Sequence, residues 1–462
     1  NIKIYIMNKI DMNKIDFKNI KNQFDSSINL LDDSIYNGGV FSFSSCLDNV
    51  DPNQLVANPN FHLDPIFFSD LDSSFLAFKK EKVFSFSNRE ELESLEEKIS
   101  NFIQDTSFIN KETKNQKTFI FGGYAFNIDS INDGLWSGIP IGNFILPRYI
   151  FYNSKLIINF FSDSKLDKNN IQKTLYHYIS NLEELCNKKE SHVKNKLKKI
   201  IDYTDKNIYL SYLNKTINYL NKENTNLDKV VLSRIKKASF KSKVSTVDII
   251  IRLLKNNHNA MNFLYSIDNN THIIGSTPEL ILEMNNNKIV SEALAGSNYN
   301  LSDEEFSSNN KEFIEQKIVS DYIINIFNQR ATDVTYNEKP FIKRTSNIDH
   351  LCTSISGTIN SDETIFSLLR ALHPSPAISG FPIEGAINKI SLMKESRGWY
   401  GGPIGWIDNN LNGKFFLNIR SGLILGNDMY LFSGSGIIKN SNIDSEWQET
   451  EQKFNLMIES IK

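Results

Sequence analysis

The run Asp228-Lys-Val-Val-Leu-Ser-Arg234 sets one lysine ahead of Val230, Val231 and Leu232, between two long polar stretches. Short apolar runs rich in β-branched residues read as strands. The Lys229 ammonium must then either reach water along its stem or sit desolvated in a cleft. Burial disfavours the charged form, so a cleft lysine can lose its proton near neutral pH and serve as a general base. The competing reading is a lysine that guards an exposed strand edge. Around this run the texture changes: beyond Asn221 come the strand-like runs THIIGSTPELILEM, KIVSEALAGS, HLCTSISGTI, FFLNIRSGLILG and MYLFSGSGII. Helical patterns over Ser245 to Asn257, Asn309 to Gln329, Thr364 to Leu372 and Asp444 to Lys462 interleave with them. This alternation predicts an α/β chain, an α+β layered fold.

Upstream the pattern is mixed. Val40 to Ser44 and Val83 to Ser87 alternate like strands, and Glu90 to Phe102 reads as a helix whose Glu90, Glu93 and Glu96 form a solvated face. KTFIFGGYAFN (Lys117 to Asn127) is a buried strand ending in a glycine pair. Asn143 to Tyr152 is the next strand, interrupted at Pro147, and Lys155 to Phe161 another. Lys165 to about Asn221 turns helical, with Leu175, Ile179, Leu182 and Leu185 on one face. The lysine-rich stretch Lys188 to Lys199 reads as a solvated helix end or linker and marks the best internal boundary. The expected division is a disordered leader over 1–16, where MNKID occurs twice, an amino-terminal half over 17–221 and a catalytic region over 222–462. The amino-terminal half is expected to complete one compact unit with the rest.

The net charge of −3 and pI of about 6.2 carry no basic surplus for nucleic acid. Three cysteines, widely spaced and without CxxC, indicate neither a disulfide framework nor a zinc site and fit a reducing cytoplasm. No apolar run reaches the roughly 18 residues of a membrane span, so no membrane partner is expected. Small-molecule chemistry remains the best prior.

Several further groups carry chemistry. Glu279, in GSTPELILE, follows a stiffening proline and precedes a strand, where a partly desolvated carboxyl keeps its proton and can donate it. Glu312 with Glu315, and Glu446 with Glu449, are three apart on helices, so each pair shares a face. Four such carboxylates suit Mg²⁺, a hard cation that prefers oxygen. The same spacing at Glu90 to Glu96 warns that acidic pairs also arise by chance. Gly296 and Ser297, and Gly434, Ser435 and Gly436, supply backbone able to approach an anion. Arg420 is a lone strand arginine, suited equally to a substrate carboxylate or a structural ion pair.

Taken together, KVVLSR, STPELILE, EALAGS, HLCTSISGTI, LHPSPAISGFP, RGWYGGPIGW, NIRSGL, LFSGSGI and EWQETEQK stand in the order of the chorismate-utilising enzymes, and the chain resembles that family. The match is dense over 222–462, with FGGYAFN and FILPR echoing the amino-terminal half. The resemblance implies a large, mainly antiparallel β-sandwich flanked by helices. It makes Lys229 the base that activates a water for attack at C2 of chorismate. Glu279, 50 positions later, becomes the acid that protonates the departing C4 hydroxyl. Glu315 and Glu449 fall at the direct or near-direct Mg²⁺ ligands, with Glu312 and Glu446 completing the shell through water. Gly296, Ser297, Tyr400, Arg420, Gly436 and Lys453 fall where relatives contact the two substrate carboxylates. His350, Ala377, Ile378, Ile419 and Phe432 fall where they line the ring pocket.

Ammonia-using branches of the family carry glutamine at the position of Lys229, and one type of aminodeoxychorismate synthase carries a nucleophilic lysine at that of Ala295. Both comparisons point to water as nucleophile. Ala377 resembles the isochorismate synthases, where salicylate synthases tend to carry threonine. The reading is a Mg²⁺-dependent isochorismate synthase, a cytoplasmic monomer needing no glutamine amidotransferase subunit. Salicylate synthase is the alternative, and a non-catalytic chorismate-binding protein a more distant one. The pathway, to menaquinone, a catechol siderophore or salicylate, stays open. The chain departs from the family pattern at Gln316, where histidine is more common, in the short segment between Gly296 and Glu315, and in the EAL before AGS.

Overall fold

Two long strands, Ser74–Phe86 and Gly142–Tyr152, hinge the architecture. They pair along their length, but the register shifts between Lys80 and Lys82, where Pro147 lies opposite Lys80 and Lys79 takes φ 57°. Proline has no N–H to give a ladder and is tolerated at such bulges, which bend a strand. The bend sends the two ends of the Gly142–Tyr152 strand into different ladders: Tyr149 to Tyr152 pairs with Lys155–Ser162, and Gly142 to Ile145 with Phe119–Tyr124. The computed structural model describes residues 15–462 except 33–34, 49, 62, 111–115, 131–132, 189–192, 258, 299–301, 308, 346–347 and 394.

One ladder runs from the hinge through Ile66–Ser69, Met261–Ser266, Thr271–Thr277, Ser421–Leu425 and Asp428–Ile438 to Lys229–Phe240. The other runs through Phe119–Tyr124, Pro403–Asp408, Gly413–Leu417, Leu280–Asn285 and Lys288–Asn298 to Asp349–Ile359. Every pairing in both is antiparallel. One apolar core joins Val230, Leu232, Phe432 and Ile437 of the first ladder to Leu280, Ala293, Ala295 and Phe415 of the second. The first ladder's other face packs Phe67, Ile274, Ile424 and Leu431 against helices that include Phe17–Asn29, Lys168–Asn187, Thr246–Asn256 and Ile443–Ile461. Residues from both halves of the sequence enter both cores. Among the described residues no helix is long and apolar enough to cross a membrane.

The expected leader lies outside the described residues except for Ile15 and Asp16. Both belong to the fold: Ile15 is buried, and Asp16 caps the Phe17–Asn29 helix by accepting from the Asn19 N–H. Three other expectations change. The edge-lysine reading of Lys229 fails, because that residue is 1% exposed and its strand is paired on both sides, to Ile438 and to Phe381. The edge lies one strand out, at Leu197–Asp202, which begins inside the Lys188 to Lys199 stretch expected to be helix end or linker and runs on into residues expected to be helical. Its exposed Lys198 and Lys199 do the guarding. Finally, Glu96 is not part of a solvated face: it is buried and ion-paired with Arg370, while Glu90 and Glu93 are exposed.

Candidate active site

Lys229 opens the strand Lys229–Phe240, alongside the segment that follows LHPSPAIS. That segment is stitched to it by the Asp228 N–H to the Phe381 carbonyl (2.8 Å) and the Val231 N–H to the Ser379 carbonyl (2.9 Å). Arg397, buried, completes the seam, donating to the Ile378 carbonyl at 2.7 Å, to Ser233 Oγ at 3.0 Å and to the Val231 carbonyl. The Lys229 ammonium lies 3.4 Å from Glu315 Oε2. Gly436 makes room for both: a Cβ there would fall 2.7 Å from Lys229 Cε and 2.9 Å from Glu315 Oε2.

Glu279 sits in the turn between Thr271–Thr277 and Leu280–Asn285. Its N–H donates to Thr277 Oγ1 (3.3 Å), and its carbonyl accepts from the Leu417 N–H (3.0 Å). Burial pushes its carboxyl up to about 8, against the opposing pull of Lys229 and Lys343. At neutral pH it therefore holds a proton it can give away.

The four helix carboxylates come from Asn310–Arg330 and Ile443–Ile461. Each helix starts on an asparagine cap, Asn309 or Asn442, that accepts from two backbone N–H groups, and Glu312 and Glu446 lie in the first turns, where the helix dipole favours negative charge. Gly296 turns the chain between the two helices with φ +74°; its absent Cβ would meet the Glu312 backbone oxygen at 3.1 Å. Ser297 then bridges them, its N–H donating to Glu312 Oε2 (2.8 Å) and its hydroxyl to Glu449 Oε1 (3.3 Å). Lys453 donates to Glu449 (2.6 Å) and to the Gly434 carbonyl (3.1 Å), and Lys311 to Glu446 (2.9 Å). Burial, then the neighbouring Glu449, pushes Glu446 up to about 7, and among the described residues its Oε2 is buried without a hydrogen-bond partner. Burial and Glu315 likewise raise Glu312. Burial also opposes ionisation of Glu449, but Lys453 and Lys311 outweigh it and hold this carboxyl below the usual range.

Arg420 and His350 form a second polar group. His350 Nδ1 is 2.7 Å from the Gly296 carbonyl, which can only accept, so Nδ1 carries the hydrogen and Nε2 accepts from Arg420 Nη2 at 3.0 Å. Burial, then Arg420, holds the imidazole well below its ordinary pKa, consistent with that neutral tautomer. Arg420 itself takes φ 50°, a left-handed conformation that costs a non-glycine residue about 1 kcal/mol or more.

Every site residue expected from sequence except Glu312 and Glu446 lines one cavity: Lys229, Glu279, Gly296, Ser297, Glu315, His350, Ala377, Ile378, Tyr400, Ile419, Arg420, Phe432, Gly436, Glu449 and Lys453. Glu312 and Glu446 stand behind it. Tyr400 and Phe432 stack at 5.2 Å and 17°, offering a flat wall. Sequence reasoning missed Val231, Leu294, Leu417 and Ser433, which also line the cavity, and Arg397, which braces it. The lining apolar residues carried no signal beyond strand periodicity.

Among the described residues no three histidine, cysteine or acidic side chains converge closely enough to enclose a metal ion. Mg²⁺ does not need such a cage: it is usually held through one or two carboxylates plus waters and substrate oxygens. Glu315 and Glu449 face the cavity in that number, and the orphaned oxygen of Glu446 sits in an acidic cluster that a cation would relieve. The donor set fits a hard divalent cation.

A cleft between two antiparallel ladders, with a buried lysine, a protonated glutamate and two helix carboxylates on its walls, defines a class. Residues 28–462 match the family described as chorismate binding enzyme, and the chain belongs to that family. It is 27% identical over 445 residues to isochorismate synthase MenF of Bacillus subtilis (strain 168), covering 91% of this chain and 93% of that protein. Isochorismate synthase EntC of Escherichia coli (strain K12) is 30% identical over 241 residues, 50% of this chain and 62% of that one. The structure of MenF, the menaquinone-specific isochorismate synthase from Escherichia coli, superposes with TM-score 0.78 over 96% of this chain and all (100%) of that one. Anthranilate synthase component I from Streptococcus pneumoniae follows at 0.69, covering 83% and 92%. At 20% and 18% identity these likenesses establish the fold: it is that of the chorismate-utilising enzymes.

Proposed function

We propose that the protein is an isochorismate synthase, converting chorismate to isochorismate by exchange of hydroxyl position on the ring. The observation that carries this reading is a lysine, Lys229, buried in the same cavity as a glutamate that holds its proton near neutral pH. Such a pair can deliver a hydroxyl on one side of a reaction and remove one on the other. Lys229 takes a proton from a water as the water oxygen bonds to C2. The ring double bonds shift, and the C4 oxygen leaves with the Glu279 proton as water. The net change is an isomerisation, and proton exchange with solvent resets both groups.

Arg420, oriented by the neutral His350, and Lys453 supply positive charge for the substrate carboxylates, with the backbone at Gly296 and Gly436 close by. Ala377, Ile378, Ile419, Tyr400 and Phe432 exclude water from the ring face. Glu315 and Glu449, backed by Glu312 and Glu446, would hold Mg²⁺, which supplies charge neutralisation for an anionic substrate oxygen. Two relatives named isochorismate synthase support the choice of product, as does Ala377 against the threonine of salicylate synthases. Incubation with chorismate and Mg²⁺ tests the reading: isochorismate is expected, and accumulation of fluorescent salicylate would instead assign the salicylate-forming activity.

A further inference from the structure

Lys343 ends the short strand Phe341–Lys343, directly across from His350. Its ammonium donates to the Pro278 carbonyl at 2.9 Å and to Glu292 Oε2 at 2.5 Å. Both side chains are largely withdrawn from solvent, at 23% and 18% exposure. Pro278 is the residue before Glu279, so a bond to its carbonyl fixes the peptide plane from which Glu279 departs. The Thr277 hydroxyl and the Leu417 N–H hold the other side of the same turn. Glu292 belongs to the EAL that departs from the family pattern, and Lys343 is its partner.

We propose that Lys343 is a positioning residue for Glu279, clamping the Pro278–Glu279 turn through the Pro278 carbonyl and, balanced by Glu292, setting the charge that the acid faces. This rests on Glu279 being the general acid. The charged and titratable groups around that carboxyl are Lys229, Lys343 and Lys453, which favour its ionised form, Glu292, which opposes it, and the neutral Tyr400 and Cys352. Loss of the Lys343 charge leaves Glu292 unopposed, so the acid holds its proton to higher pH. Loss of the Glu292 charge leaves Lys343 unopposed and acts in the other direction.

The test uses the full chain with Mg²⁺ and compares pH profiles of kcat/KM for the parent, Lys343→Met, Lys343→Arg and Glu292→Gln, with Glu279→Gln as reference. Lys343→Met is expected to move the alkaline limb up by about half a unit or more. It should also lower kcat about tenfold, with KM changed less than about twofold, because a displaced acid costs transition-state stabilisation and leaves ground-state binding intact. Lys343→Arg should restore most of kcat, and Glu292→Gln should move the limb down. If Lys343→Met does not fold, the Glu292→Gln shift alone decides, since that substitution keeps the side chain's shape. An unmoved limb in Lys343→Met and Glu292→Gln, alongside an inactive Glu279→Gln, overturns the role of Lys343 alone. An active Glu279→Gln overturns the acid assignment on which it rests.

Discussion

Lys229 owes its place as much to glycine as to charge. With Gly436 replaced by alanine the new methyl would press on Lys229 Cε and Glu315 Oε2 together, so Gly436→Ala is expected to cut kcat about tenfold or more while the protein stays folded. Comparison of kcat with the circular dichroism melt checks this, and unchanged kcat would mean that the lysine has slack. Lys229→Ala should lower turnover by about 10²- to 10⁴-fold, the usual worth of a general base, with an unchanged fold. Glu279 adds a pH signature. Its proton is needed for departure of the hydroxyl, and burial has raised its carboxyl to about 8, so the protonated form dominates below that value and is lost above it. Activity, read as kcat/KM, should therefore fall as pH rises through about 8. A profile flat to strongly alkaline pH would remove Glu279 from the role.

At the scale of elements, the two helices that carry the carboxylates depend on their first turns. Asn442 and Asn309 each satisfy two orphan N–H groups, and an asparagine cap is worth about 1 kcal/mol. Asn442→Ala is expected to lower stability by about that amount, read by urea denaturation, and to raise the Mg²⁺ concentration needed for half activity by loosening Glu446 and Glu449. Glu449→Gln should raise that requirement far more sharply; an unchanged metal titration would take Glu449 out of the site. These helices and the three-residue spacing of their carboxylates were legible in the sequence, whereas the asparagine caps were recognised only in the folded chain. The strand Leu197–Asp202 was not legible, since a lysine-rich run with Leu197 and Ile200 half-buried and Ile201 exposed gives no strand signal until a partner strand is known. Glu96 misled for a similar reason: helical spacing places it beside Glu93, but only the tertiary fold brings Arg370 to it.

In the whole molecule, the amino-terminal strands are structural members of both ladders. Phe119–Tyr124 pairs with Pro403–Asp408, and Ile66–Ser69 with Met261–Ser266. A fragment of 222–462 would expose both partner strands as open edges and uncover Phe263 and Trp406, so it is expected to aggregate or to remain a loose, dye-binding globule when expressed alone. A soluble, cooperatively melting fragment with activity would contradict that dependence. The order of short runs in the sequence sufficed to gather most of the site, because its chemical groups stand within those runs, on strands, in glycine turns and on two helices. Long-range braces such as Arg397 and Lys343 carry no such local mark; only the folded chain identifies what they hold.

The most direct measurement is product analysis of the Mg²⁺-loaded protein with chorismate in heavy-oxygen water. A water activated by Lys229 must leave its oxygen on the product, so isochorismate labelled at its ring hydroxyl is expected, formed by Lys229→Ala about 10²- to 10⁴-fold more slowly. Unlabelled isochorismate, or labelled product from Lys229→Ala at the parent rate, would contradict the role of Lys229.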